Sequence, residues 1–382
     1  MKFDDRSILF LCTEDWFFKS HFLPLADVSQ SIENCRSSIL CSVGDVRTNL
    51  EIRGLDVLPV EFSRRSKNPI SAIRLIRQLI KGFRKTRPDV IHMIAMKPIL
   101  LGGLISWFYP KSGKIYHVTG LGTIAEGNSA FARTLRYFLF GLIVRFLKQP
   151  NSHLIVENPD DLEFLRKFGS VSSANVTLLG GAGVDPDYWN IIPLPNCSPP
   201  SIAFVGRMIW TKGVDILIES IKLLNKEGCP IQLNLYGEPD KGNPNEISKE
   251  LLKKWSKIPG VSWKGRSNDV KSVWQKADIC VVSTRTREGM PRSMLEAAAC
   301  GRPLVVTDVP GCRHFVRDGI EGYVVPPENA AELAQALKKL ATDRKLRQQM
   351  GDAARARVLD GFTEADIRKK VSAIYQQILT SR

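Results

Sequence analysis

Two glutamates, Glu288 and Glu296, stand eight positions apart around the start of a helix. The segment reads Glu288-Gly289-Met290-Pro291-Arg292-Ser293-Met294-Leu295-Glu296, and small residues, Gly301 and the apolar run Leu304-Val305-Val306-Thr307 follow it. Pro291 suits the first helical position, where a missing N–H costs nothing. Gly289 lets the backbone come close to a ligand. The free N–H groups and the dipole make that helix end an anion site. Glu296 falls about five residues inside, roughly 7 Å along the axis. That spacing is comparable to the distance from a diphosphate to a ribose, whose two hydroxyls a carboxylate accepts. Taken alone, the same acids also fit an ordinary solvated helix face, and their neighbours decide.

A second cluster carries cations. Gly206-Arg207 closes an apolar run, and Lys212-Gly213 precedes the helical pattern from Val214 to Leu224. A lysine at a helix N-terminus opposes the dipole by a few tenths of a kcal/mol unless it points away or meets an anion. A diphosphate would reverse the sign. Arg207 sits at a strand end, where parallel α/β sheets bind ligands. Fixed cations there would also stabilise the charge that grows on a departing diphosphate.

The elements that must position these groups alternate along the chain. Strand candidates are Ile8–Cys12, Ser38–Ser42, Val57–Val60, Val90–Met93, Lys114–Val118, His153–Val156 and Val176–Leu179, then Ile202–Val205, Gln232–Tyr236, Val261–Trp263, Ile279–Val282, Leu304–Thr307 and Tyr323–Val325. Helical stretches lie between most of them, which implies right-handed crossovers and mostly parallel sheets. The fold class is α/β with two Rossmann-like domains. Pro193, Pro195, Pro199 and Pro200 read as a linker. The expected division is a first domain 1–192, a linker 193–200 and a second domain 201–363, with a last helix in 364–382.

Composition narrows the function classes. The chain has 382 residues and a net charge of +15. Sixteen basic residues and only two acids, Asp89 and Glu126, fall between Arg64 and Lys148, so the remainder is nearly neutral. No nucleic-acid motif accompanies this patch, and nucleic acid is not expected as a partner. The run Ile70–Arg87 interleaves Arg74, Arg77, Lys81, Arg84, Lys85 and Arg87 with Ile73, Leu75, Ile76, Leu79 and Ile80. Such a basic amphipathic helix suits an anionic membrane surface, or else a solvated face. The apolar stretches Pro98–Pro110 and Tyr137–Leu147 are too short to span a bilayer. The first residues do not read as a signal peptide, and eight cysteines without metal-ligand spacing read as reduced core residues of a cytoplasmic protein.

The segment from Glu288 continues through Leu295-Glu296-Ala297, Gly301-Arg302-Pro303, Asp308-Val309-Pro310-Gly311, Val316-Arg317-Asp318-Gly319 and Gly322-Tyr323-Val324-Val325. It resembles the E-x(7)-E region of retaining glycosyltransferases of family 4, which have the GT-B fold. The likeness covers most of residues 201–350. It implies two Rossmann-like domains facing a central cleft, with the last helix crossing back onto the first. It also implies that Glu288 touches the donor sugar and Glu296 the ribose. Gly206, Gly289, Met290 and Pro291 would line the donor. Arg207 and Lys212 resemble the family's diphosphate-binding pair, which replaces the metal of other glycosyltransferases. Asp185-Pro186-Asp187 is formally D-x-D, but it lies in Gly181-Ala182-Gly183-Val184-Asp185, which resembles the family's G-V-D loop. No metal and no cofactor are expected.

Thr13-Glu14-Asp15-Trp16 and Ser20-His21-Phe22-Leu23-Pro24-Leu25-Ala26 resemble the start of bacterial members that extend lipid-linked oligosaccharides. Many other members have a Gly-Gly turn here, and this chain has no glycine between Phe3 and Gly44. Tyr116-His117-Val118-Thr119-Gly120-Leu121-Gly122 resembles the loop that carries A-H-G in many relatives. Aligned on the glycine, that histidine becomes Thr119, and His117 lies two positions earlier. The acceptor-side candidates are therefore His21, His117, Thr119, Gly120 and Glu126. Strand alternation puts His117 and Thr119 on one face, so either can approach the cleft.

The resemblance implies retaining transfer of a sugar, an N-acetylated hexose, from a UDP-sugar. The acceptor would be a saccharide linked to a polyprenyl diphosphate, in O-antigen or surface polysaccharide assembly. The protein would work peripherally at the cytoplasmic membrane face. A front-face mechanism, in which the donor phosphate takes the acceptor proton, needs no protein nucleophile. Two rivals share the fold: a UDP-sugar epimerase and a non-catalytic binding subunit. A nicotinamide oxidoreductase is disfavoured, because no G-x-G-x-x-G follows the first strand.

Overall fold

The computed structural model describes residues 6–62, 69–122, 129–196 and 198–381. The apolar runs build thirteen strands: β1 Arg6–Glu14, β2 Cys35–Ser42, β3 Asp56–Pro59, β4 Val90–Ile94, β5 Gly113–Val118, β6 Ser152–Val156, β7 Val176–Leu178, β8 Ser201–Val205, β9 Gln232–Tyr236, β10 Val261–Gly265, β11 Ile279–Val282, β12 Leu304–Thr307 and β13 Gly322–Val325. Each expected strand is present, with ends moved by three residues at most. The first seven form one sheet, ordered β3-β2-β1-β4-β5-β6-β7, and the last six another, ordered β10-β9-β8-β11-β12-β13. Every pairing between these strands is parallel.

Parallel strands need helical crossovers, so the central strands are covered on both faces and largely apolar, while outer strands such as β3 and β10 keep polar, exposed positions. In β1, Ile8, Phe10 and Cys12 face one core. Leu9 and Leu11 face the other. Each of these five side chains is fully buried. The helix Glu364–Thr380 belongs to the same compact unit as residues 1–182. Its Ile367, Val371, Ile374, Tyr375 and Ile378 complete the first of those cores. Arg368 pairs with Asp27 at 3.0 Å, and Lys370 donates to the Leu179 carbonyl at 3.0 Å.

The second unit spans Gly183–Thr363, which corrects the expected boundary. The proline-rich stretch is not a free linker, because arginines of the second unit hold the backbone leading into it. Arg355 donates to the carbonyls of Trp189 (2.6 Å), Ala299 (2.8 Å) and Pro186 (3.1 Å). The fully buried Arg302 donates to those of Ile192 and Pro193. Arg344 donates to those of Leu194 and Pro195. Prolines have no N–H to join a sheet, so these carbonyls would otherwise lack strong donors. Seven cysteines are free thiols, and five of them (Cys12, Cys41, Cys280, Cys300 and Cys312) are buried. Cys197 lies outside the described residues.

Arg355→Ala should cost about 3 kcal/mol through its lost carbonyl bonds. That corresponds to a fall of roughly 6–12 °C in the thermal midpoint. Limited proteolysis should then cut within 186–196, where the native chain resists. Native-like resistance in the variant would show that the segment is held by something else.

Candidate active site

In the second sheet the strand order reverses between β8 and β11. Chains leaving their carboxyl ends part in opposite directions there, which opens the crevice where such sheets bind ligands. The β8 exit carries Gly206, Arg207 and Lys212, and the β11 exit carries Glu288. The two exits are latched together. The Ser283 hydroxyl donates to the Lys212 carbonyl (3.0 Å) and that of Thr284 to the Thr211 carbonyl (3.1 Å). Arg285 donates to the Trp210 carbonyl (2.7 Å) and to both Asp215 oxygens (3.1 and 2.9 Å). Gly213 has φ +65°, and a Cβ there would lie 2.0 Å from the Ser283 carbonyl oxygen, so only glycine lets the exits close up.

This latch places the Lys212 ammonium 2.7 and 2.6 Å from the two oxygens of Glu288. Both side chains are about four-fifths buried. Burial opposes ionisation of Glu288, yet Lys212, a bond with Thr284 and the nearby Arg207 charge outweigh it and hold the carboxyl below its ordinary range. One ammonium hydrogen remains for a third acceptor. Arg207 is about half exposed and bonds Asp240 at 2.7 Å. It can turn toward a ligand at the cost of that one pair.

The helix Arg292–Ala299 follows, with Pro291 as its N-cap, one position earlier than expected. Gly289, Met290 and Pro291 are buried beneath it. Gly311 lets a neighbouring helix start pack on this loop, since a Cβ there would lie 2.1 Å from the Gly289 carbonyl oxygen. Glu296 is buried and accepts from Arg292 at 2.9 Å. Burial raises its carboxyl pKa, and the Arg292 charge only partly offsets this. Glu288 and Glu296 therefore have opposite electrostatic settings within one segment. Asp185 caps its own turn, accepting from the Asp187 amide at 3.0 Å. Among the described residues no cluster of metal-ligating side chains is present.

The acceptor-side candidates lie in the first unit. Thr119 and Gly120 are half-buried just past β5. His21 bonds Ser20 at 2.6 Å, with its ring 4.9 Å from that of Phe17. Glu126 lies outside the described residues. His117 differs from the expectation. It is fully buried rather than open, because both faces of a parallel sheet are covered. Its Nδ1 lies 3.3 Å from Nε2 of His92, and its Nε2 lies 3.8 Å from Oε1 of Glu157. Sequence reasoning missed Asp240, Arg285 and Glu157. Arg285 and Glu157 lie one to three positions beyond a strand end, which is the signal that would have found them.

Residues 7–155 match the family model described as glycosyl transferase 4-like, and residues 199–343 match that of glycosyl transferases group 1. A Campylobacter jejuni relative, N,N'-diacetylbacillosaminyl-diphospho-undecaprenol alpha-1,3-N-acetylgalactosaminyltransferase, is 26% identical over 85% of this chain and 87% of its own. The capsular polysaccharide biosynthesis glycosyltransferase CapM of Staphylococcus aureus is 22% identical over 81% and 82%. Anabaena HepE, crystallised with UDP-glucose, superposes with a TM-score of 0.77 at 16% identity, covering 97% of this chain and 99% of its own. Sucrose-phosphate synthase of Thermosynechococcus elongatus gives 0.79 at 18%, covering 99% and 100%. With both halves matched by glycosyltransferase models and two parallel α/β units of the GT-B fold, the chain belongs to the family 4-type glycosyltransferases.

Proposed function

We propose that this glycosyltransferase moves an N-acetylated hexose from a UDP-sugar to a saccharide on a polyprenyl diphosphate, with retention and without a metal ion. The product would serve surface polysaccharide assembly. The observation that carries the reading is the latched Lys212–Glu288 pair at the switch point of the second sheet. Lys212 has a hydrogen left for a diphosphate oxygen, and Arg207 is exposed beside it. Both would stabilise charge on the leaving diphosphate. Glu288, kept ionised by Lys212, would take donor-sugar hydroxyls, and Glu296 those of the ribose. The proton of the acceptor hydroxyl would pass to the departing phosphate oxygen. Support for the substrate classes comes from the Campylobacter relative, whose name specifies an undecaprenyl diphosphate-linked acceptor, and from HepE with UDP-glucose.

An anionic membrane surface is the second part of the proposal. The helix Pro69–Thr86 exposes Ile70, Ile73 and Ile76 beside Arg74, Arg77, Lys81, Arg84 and Lys85. It packs against the helix Met96–Ser106, which in turn packs on Ala130–Phe146. That layer also exposes Trp107, Phe108, Leu135, Tyr137 and Phe138. Apolar groups at the headgroup level with cations among them suit an interfacial, not a spanning, mode. No helix among the described residues is long and apolar enough to cross a membrane.

Lys212→Ala, Arg207→Ala and Glu296→Ala should each weaken UDP binding about 10- to 100-fold, the range for hydrogen bonds to charged groups. Titration calorimetry reads this, and undiminished UDP affinity in all three would refute the donor site. Glu288→Gln should leave UDP affinity within about threefold but lower kcat at least about 100-fold, the loss typical of one transition-state contact. The triple change Arg77→Glu, Lys81→Glu, Arg84→Glu should reduce binding to phosphatidylglycerol vesicles at least about 100-fold, at about 1 kcal/mol per cation. Native binding should also fall with salt. Binding indifferent to both would remove the membrane role.

A further inference from the structure

Two local rules are broken in the helix Arg292–Ala299. A cation in the first turn of a helix opposes the dipole, and Arg292 occupies the first helical position. An arginine four residues before a glutamate is also the weaker of the two orders for such a pair. Glu296, further along, is buried beside Leu295, Ala297 and Ala298, each fully buried. Placing a carboxylate there costs desolvation, and an apolar pair of like size would serve stability as well or better. Helix stability therefore explains neither residue. Departures of this kind, with no gain in stability, belong to functional sites.

The geometry shows what the pair does instead. Arg292 Nε lies 2.9 Å from Glu296 Oε1. This is a single bond to one oxygen, not the fork that arginine often forms with a carboxylate. Oε2 is left for another donor, and Oε1 keeps a second lone pair. About a tenth of the Glu296 side chain stays open to solvent, so a ligand can reach it. Two vicinal hydroxyls are two donors set side by side, and a carboxylate held by one edge is their complement.

The same bond governs the charge of Glu296. Burial raises its carboxyl, and Arg292 opposes the rise through its charge and its hydrogen bond. The other ionisable groups around it do not take over this task. From β11 comes the Cys280 thiol, which burial keeps protonated, and from the helix end Cys300, pushed up to about 11. The helix Arg344–Leu359 packs alongside and brings Arg355, whose guanidinium is taken by the carbonyls of Trp189, Ala299 and Pro186. The strand β12, also in contact, has no ionisable side chain.

We propose that Arg292 is a positioning residue for the nucleotide. By bonding one oxygen of Glu296 it keeps the carboxylate charged and turned so that the other oxygen meets the vicinal hydroxyls of the ribose, and the site thereby selects ribonucleotides over deoxyribonucleotides. The inference rests on Glu296 as the ribose ligand, as proposed above.

Titration calorimetry of the full chain with UDP and with 2',3'-dideoxy-UDP tests it. The ratio of the two affinities isolates the ribose hydroxyls and cancels the ionisation of the diphosphate. The native chain should prefer UDP about 10- to 100-fold. Arg292→Gln should cut that preference at least about fivefold near neutral pH, with affinity for the dideoxy compound within about threefold of native. Without the cation the carboxyl titrates higher and ionises only as pH rises, so the lost preference should return between about pH 6.5 and 8.5. Arg292→Lys, which keeps the charge, should retain most of it. In a Glu296→Gln background, Arg292→Gln should change nothing further. An unchanged preference in Arg292→Gln overturns the inference alone and leaves the ribose reading standing. An equal loss for both compounds overturns it too, since Arg292 would then touch the diphosphate or merely hold the loop. A native chain that binds both compounds equally would overturn the ribose reading, and this inference with it.

Discussion

The second unit of this glycosyltransferase depends on one ion pair at the switch point of its sheet. Lys212 and Glu288 are mostly withdrawn from water, and a pair in that position is favourable only when its geometry is held by other bonds. Here the holding is done by backbone carbonyls of one loop and side chains of the other, through Ser283, Thr284 and Arg285. The latch explains why the segment tolerates a buried charge. It also sets the polarity of the site, with an ionised Glu288 held against the Lys212 ammonium. If either loop shifted by an ångström, the carboxylate would lose its compensation and burial would favour its neutral form.

Much of the fold is legible in the sequence because parallel sheets impose continuous apolar strands, and these stand out between polar helices. Central strands such as β4, β11 and β12 are marked by such a run, while β9 and β10 alternate apolar with polar residues. The pairing of Gly206-Arg207 and Lys212 with Glu288 is legible only through family likeness. The residues lie more than seventy positions apart in the chain, and only the strand order β8-β11 makes them neighbours. Their partners Asp240 and Arg285 carry no motif of their own. Their roles come from loop packing, which spacing does not encode. The misplaced boundary has a similar cause. Prolines announce a break in regular structure, but they do not say whether arginines elsewhere, such as Arg302 and Arg355, will clasp the carbonyls that the break leaves over.

His117 shows the same limit on a smaller scale. Strand alternation assigns its face correctly but says nothing about depth. Its 117 position lies within β5, one residue short of the strand end, and both faces of the sheet are covered at that level. Thr119, two residues on, is beyond the strand and half-buried. Two positions thus separate a core residue from a rim residue.

A terminal helix that buries Ile367, Val371, Ile374 and Ile378 needs no tyrosine hydroxyl for stability. A phenylalanine would fill the same volume without the cost of burying a polar group. The Tyr375 hydroxyl is satisfied by one partner, His92, and that partner is itself buried and would need a donor or acceptor in any case. The tyrosine and the histidine therefore each create the need that the other meets.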